Sequence, residues 1–205
     1  MKTPAIWNSE ERSILRTLTS PVTIQRFLDG IVYSTEPKYR CPREVLKDRK
    51  AHCFDGAVFA AAMLNRNGHK PLIVDMQAVR DDDHVIAIFT KNGMYGAVAK
   101  SNFVGLRYRE PIYRDVRELV MSYFESFYNL NKEKSLRQFS VPLDLSAYDG
   151  YEFSEERMEE IGLKLSYIPV TKIMTPSQIR GLQNVDDRTY KAGMLGAIKK
   201  GIYKP

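Results

Sequence analysis

Apolar residues recur at helical spacing through much of the first third of the chain. Asn8 to Glu11 reads Asn-x-x-Glu, a capping box that opens a short helix running to Leu18. Pro21 starts a second helix, with Ile24, Phe27, Leu28 and Ile31 along one face. Residues 34–42, STEPKYRCP, read as a loop broken by Pro37 and Pro42. The segment 51–68, AHCFDGAVFAAAMLNRNG, is different in kind. Phe54, Ala57, Val58, Ala61 and Leu64 keep the helical period, while Phe59, Ala60, Ala62 and Met63 fill most of the remaining circumference. A helix apolar almost all round belongs inside a protein, and Gly68 suits the residue just past its end.

Short apolar runs follow, and they predict strands at 72–76, 85–90 and 94–101. Asn92-Gly93 between the last two is the strongest short hairpin signal. If these two residues form a type I′ turn, paired residue numbers sum to 185, which sets Lys91 against Met94 and His84 against Ser101. Beyond the hairpin the pattern predicts a helix over 114–128, an extended stretch at 137–145, a short polar helix at 154–161 and a strand at 163–170. Thr175-Pro176-Ser177-Gln178 is a capped helix start. The basic, Gly-broken stretch 189–205 reads as a short helix with a loose tail.

A length of 205 residues suits one domain with its own core, needing no disulfide or metal staple. With 43% hydrophobic and 27% charged residues, the composition excludes wholesale disorder. No apolar run approaches the roughly 18 residues of a membrane-spanning helix. The polar start, with Glu10 and Glu11, lacks a signal-peptide profile, so a cytoplasmic protein is expected. The net charge of +6 is spread among interleaved acids and reads as a mixed solvated surface; a nucleic-acid footprint is not expected from it. The basic, aromatic stretch 107–114 reads in the same spirit as a packed loop of stacked Arg and Tyr. The two cysteines, Cys41 and Cys53, have neither a disulfide framework nor zinc spacing around them, and free thiols are expected.

Cys53 stands at the start of the apolar helix. Unpaired N–H groups and the helix dipole there stabilise a thiolate, the nucleophilic form. His84 follows Asp81-Asp82-Asp83 and opens an otherwise apolar strand, where its ring is placed to accept the thiol proton. Taken singly, each has a plainer reading: a small core residue for Cys53, a turn residue for His84. His52 and His69 read as bystanders, and Cys41 as an inert loop thiol.

Taken together, these residues resemble the transglutaminase-like domain, a branch of the papain-like cysteine enzymes. The resemblance rests on Cys53-Phe54-Asp55 with Ala57, on residues 60–64, on Gly68 and Ile73-Val74, and on Asp83-His84-Val85. It covers residues 21–102, and it implies an α+β fold with a papain/transglutaminase-like core. In that core the buried Cys-bearing helix packs on an antiparallel sheet, and a C-terminal α/β elaboration over 103–205 completes a single domain, 1–205. It also implies that Cys53 is the nucleophile, that His84 is the base, and that an acid on the next strand orients the histidine. The family pattern places that acid four residues after an aromatic. Tyr95 supplies the aromatic, but Ala99 stands where the acid should be. Ser101, opposite His84 in the expected register, is the first candidate for the third position. Asn102 is the second, and Asp82 and Asp55 are further alternates. A hydroxyl orients an imidazole but cannot neutralise its cation as a carboxylate does.

The chemistry implied is attack of Cys53 on a carboxamide or peptide carbonyl and protonation of the leaving amine by His84. The Cys53 N–H holds the oxyanion, and water or an amine resolves the thioester. Neither a metal nor a cofactor is called for, and the expected partner is a protein or peptide substrate. The missing acid supports a second reading, a catalytically inactive transglutaminase-like module that binds a protein or peptide. The charge alone would support a third, a nucleic-acid binder.

Overall fold

The computed structural model describes residues 6–204; the first five residues of the polar start lie outside them. The elements run in the order α1 (Ser9–Leu15), α2 (Pro21–Asp29), β1 (Val32–Tyr33), α3 (Pro42–Asp48), β2 (Lys50–Ala51) and α4 (Cys53–Arg66). Then come β3 (Leu72–Ala78), β4 (His84–Lys91), β5 (Met94–Val98), β6 (Arg109–Tyr113) and α5 (Val116–Met121). The chain closes with β7 (Leu136–Ser140), β8 (Leu143–Asp144), α6 (Glu155–Tyr167), β9 (Val170–Lys172), α7 (Pro176–Arg180) and α8 (Asp187–Gly193). The fold is mixed α+β. Strands β6-β5-β4-β3-β7-β9 form one antiparallel sheet, with β8 also on β3, while β1 and β2 make a separate parallel pair.

The central strands are buried on both faces, so their apolar residues sort by parity. Ile73, Val85, Ala87 and Phe89 face α4, together with α2, α3 and α6. Val74, Met76, Ile86 and Ile88 face Leu119, Val120, Tyr123 and Phe127. Helix α4 is buried from Cys53 through Leu64, as its all-round apolar pattern predicts. A Cβ on Gly56 would overlap the Lys100 side chain, so glycine lets the stretch after β5 lie against the helix.

The capping boxes at Asn8 and Thr175, the Pro21 start and the left-handed Gly68 all form as the local signals imply. Asn92 and Gly93 take φ of 52° and 77°, and the β4–β5 pairs sum to 185 from Lys91–Met94 to Ala87–Val98.

The ladder then stops at Val98, where a strand to residue 101 was predicted. The Gln25 amide replaces a strand partner: its Nε2 donates to the Ala99 carbonyl at 2.9 Å, and its Oε1 accepts the Ala99 N–H at 3.0 Å. Lys100 turns away to donate to the Leu28 and Ile31 carbonyls at 2.7 and 2.6 Å, near the carbonyl end of α2. The stretch predicted as a strand at 163–170 is instead mostly the end of α6, because Ile161 and Leu165 continue its buried stripe. Residues 42–48, absent from the pattern reading, form α3. Within the basic stretch 107–114, Arg109 stacks over Tyr123 at 3.8 Å, a packing role as expected, though the stretch contributes β6.

Candidate active site

Cys53 is the first residue of α4. His52 before it is extended (φ −77°, ψ 175°). Asp55 locks this junction: its carboxylate accepts the His52 N–H at 3.0 Å and the Arg40 N–H at 3.1 Å. The Cys53 side chain is buried, and its sulfur is held 3.3 Å from Nδ1 of His52 and 3.8 Å from the Asp83 carbonyl oxygen. It borders two cavities. One, of about 310 Å³, also meets Tyr33, His84, Phe103 and Phe127. The other, of about 260 Å³, lies toward Tyr39, Asp75 and Gln77.

His84 opens β4 opposite Met76 and shares the larger cavity with Cys53. Its ring is edge-on to Phe127 at 6.4 Å, and its Nε2 lies 2.8 Å from the Leu106 carbonyl oxygen. A carbonyl can only accept, so Nε2 carries a proton, and in the neutral ring Nδ1 keeps the lone pair. The orienting group is thus a backbone oxygen.

The side chains expected in that role are engaged elsewhere. Ser101 Oγ accepts the Phe103 N–H at 3.0 Å, because the chain has left the sheet before reaching the position opposite His84. Asn102 faces the C-terminal segment: its amide bonds the Ile198 and Gly201 carbonyls at 3.1 and 3.2 Å and accepts the Ile198 N–H at 2.8 Å. Asp55 spends both oxygens on backbone N–H groups. Asp82 borders both cavities without bonding an imidazole, and its charge opposes that of a Cys53 thiolate. Ser101 and Asn102 therefore line the cavity and shape the loop that carries Leu106.

His52, read from sequence as a bystander, is a member of the site. Burial alone would raise the Cys53 thiol. The neighbouring His52 charge and hydrogen bond, with a smaller contribution from His84, outweigh it and hold the thiol well below its ordinary value. The thiolate in turn lifts His52 to about 9. Tyr33, tilted against the His52 ring at 5.4 Å, is pushed up by burial and by the same thiolate. Cys41 is free and buried, and burial raises it, so the two thiols stand in opposite environments.

The tail is the other departure from the sequence reading. Thr189, Ala192, Gly193 and Gly201 form a wall of the larger cavity. Tyr128 donates to the Thr189 carbonyl at 3.0 Å, and a Cβ on Gly201 would meet Thr35 at 2.8 Å. Residues 187–201 are seated on the site, with the Asn102 amide as their clasp. Among the described residues, no group of His, Cys, Asp and Glu side chains is arranged to hold a metal ion, and no helix is long and apolar enough to cross a membrane.

Cys53 thus stands at a buried helix start, beside two imidazoles and bordering a cavity, on an α+β scaffold. In comparison with known families, residues 13–98, which carry both Cys53 and His84, match the family model described as a transglutaminase-like domain. That stretch, under half of the chain, is similar to a transglutaminase-like domain, as its residues suggested. Among solved structures the protein is similar to Legionella pneumophila LapG (EGTA-treated), at a TM-score of 0.40 and 13% identity, with 71% of this chain and 84% of that chain covered. A search of curated proteins finds no match.

Proposed function

We propose that the protein is a cysteine acyl-transfer enzyme acting on amide bonds of a protein or peptide, with Cys53 as nucleophile and His84 as the general base of the step that resolves the thioester. The observation that carries this reading is that a thiol held below its ordinary value and an imidazole fixed through its Nε2 border the same cavity. Cys53 sulfur attacks the carbonyl carbon, the C–N bond breaks, the amine leaves with the proton the thiol gave up, and a thioester remains. His84 Nδ1 accepts a proton from the water or amine that resolves it, giving hydrolysis or transamidation. The Cys53 backbone N–H, at the first helical position, has no partner within the helix and is available to the oxyanion. We read the chain as one domain, with 21–102 as its catalytic core and 103–205 as an elaboration, since β7 and β9 extend the same sheet on the far side of β3.

The absence of a carboxylate on His84 Nε2 favours a second reading, a binding module without turnover. Two assays separate the readings: cleavage of a panel of fluorogenic peptide amides, and incorporation of dansylcadaverine into dimethylcasein. We expect turnover in at least one, abolished in Cys53→Ala and reduced about 10²–10⁴-fold in His84→Ala. No turnover in either, with Cys53 alkylated by iodoacetamide no faster than an ordinary thiol, would establish the binding module.

A further inference from the structure

We infer that the resting proton partner of Cys53 is His52, the residue immediately before it, and that His84 serves the later proton transfers. This deepens the reading of Cys53 as a nucleophile and rests on it. The contact is direct: Nδ1 of His52 lies 3.3 Å from the sulfur, within reach of a thiolate hydrogen bond. The His52 ring has little freedom to leave. Its backbone is pinned to Asp55 through the N–H, and the Tyr33 ring lies tilted against it at 5.4 Å.

The step is a proton transfer between two atoms. The S–H bond of Cys53 breaks and an N–H bond forms at Nδ1, leaving a thiolate and an imidazolium. In the acylation step this proton is the one that departs with the amine. His84 has its Nε2 proton committed to Leu106, so in its neutral form Nδ1 can take the proton of the nucleophile that resolves the thioester.

The surroundings favour a cation on His52. Facing it are the Cys53 sulfur, the Asp55 carboxylate at its own N–H, and Asp82 across the mouth of the site. Glu36, Glu159 and one cation, Lys38, stand with it around the outer cavity. Tyr33 against its ring is held neutral by burial and by the negative charge nearby. Two carboxylates and a thiolate thus attract the His52 charge, and they account for its upward shift despite burial. A backbone-tethered neighbour also explains how the site dispenses with a third-position acid: the cation that a carboxylate would steady is placed on a different imidazole.

The test needs no substrate. The rate of Cys53 alkylation by iodoacetamide is followed against pH, with the Cys41 peptide resolved by mass spectrometry. We expect the intact protein to reach its plateau well below the ordinary thiol range. His52→Gln should move the midpoint up to that range or above it, and alkylation at pH 7 should slow by about tenfold or more. His84→Gln should raise the midpoint less than either substitution at 52. Asn, a good helix cap, provides a second substitution at position 52 should Gln disturb the start of α4. Thiolate absorbance near 240 nm, titrated on the same proteins, gives an independent midpoint. A midpoint unmoved by both substitutions at 52, or one raised only by His84→Gln, would overturn the assignment. A protein that turns over no amide yet shows this pattern would refute acyl transfer and leave the ion pair standing.

Discussion

The side-chain amide of Gln25 on α2 bonds both backbone groups of Ala99, seventy-four residues away, donating at 2.9 Å and accepting at 3.0 Å. This pair ends β5 and sends the following residues across the α4 surface, where the loop returns to place the Leu106 carbonyl on His84. Gln25→Ala would leave a buried N–H and a buried carbonyl without partners. We expect destabilisation of about 2–4 kcal/mol, with a lower urea midpoint at unchanged slope. A loss within about 0.5 kcal/mol, the scale of an ordinary surface change, would show that Ala99 is satisfied some other way.

Asn102 concentrates three hydrogen bonds on the tail backbone. Asn102→Ala should release residues 195–204 from the cavity while the sheet stays folded. Amide hydrogen exchange is expected to accelerate over that segment alone, at a stability cost of about 1–3 kcal/mol. The Cys53 cavity would open on that side, so a bulky thiol reagent should gain more rate than iodoacetamide. Unchanged exchange in the tail would mean that contacts such as Tyr128 to Thr189 are sufficient to hold it.

Asp75 is 6% exposed, and its Oδ1 has no hydrogen-bond partner. Burial, reinforced by the nearby Asp83 and Cys53 charges, raises it to about 6. The folded protein therefore binds this proton more tightly than the unfolded chain does. The stability it contributes is complete below the ordinary carboxylate range, about 4, and is lost as pH rises through about 6. The total is on the order of 2–3 kcal/mol. Asp75→Asn should flatten that part of the stability–pH curve and raise stability at pH 7.5 by about 1–2 kcal/mol, with little change at pH 4. Urea unfolding at the two pH values checks this, and an equal shift at both would count against a titrating Asp75.

The local elements of this protein were legible from its sequence because their causes are local. The apolar circumference of α4 follows from side-chain spacing, the caps at Asn8 and Thr175 from one hydrogen-bonding side chain three residues from its partner, and the β4–β5 register from the left-handed preference of Asn92-Gly93. The same spacing brought Cys53 and His84 forward as candidates. The partners of those two residues were not legible. That a Gln on α2 would terminate β5, that a main-chain oxygen would take the place of Ser101, and that the tail would lie on Asn102 all depend on groups brought together from distant parts of the chain. A carbonyl oxygen, moreover, has no signature in residue type.

His52 is an intermediate case. It adjoins Cys53, and the assumption that neighbours point apart holds along a strand. At an extended cap joined to a first helical residue, the backbone bends between the two side chains, and they meet. Chain-local chemistry thus brought Cys53 and His84 forward, while the packing of α2, the 99–106 loop and the tail decided what surrounds them and what each of them touches.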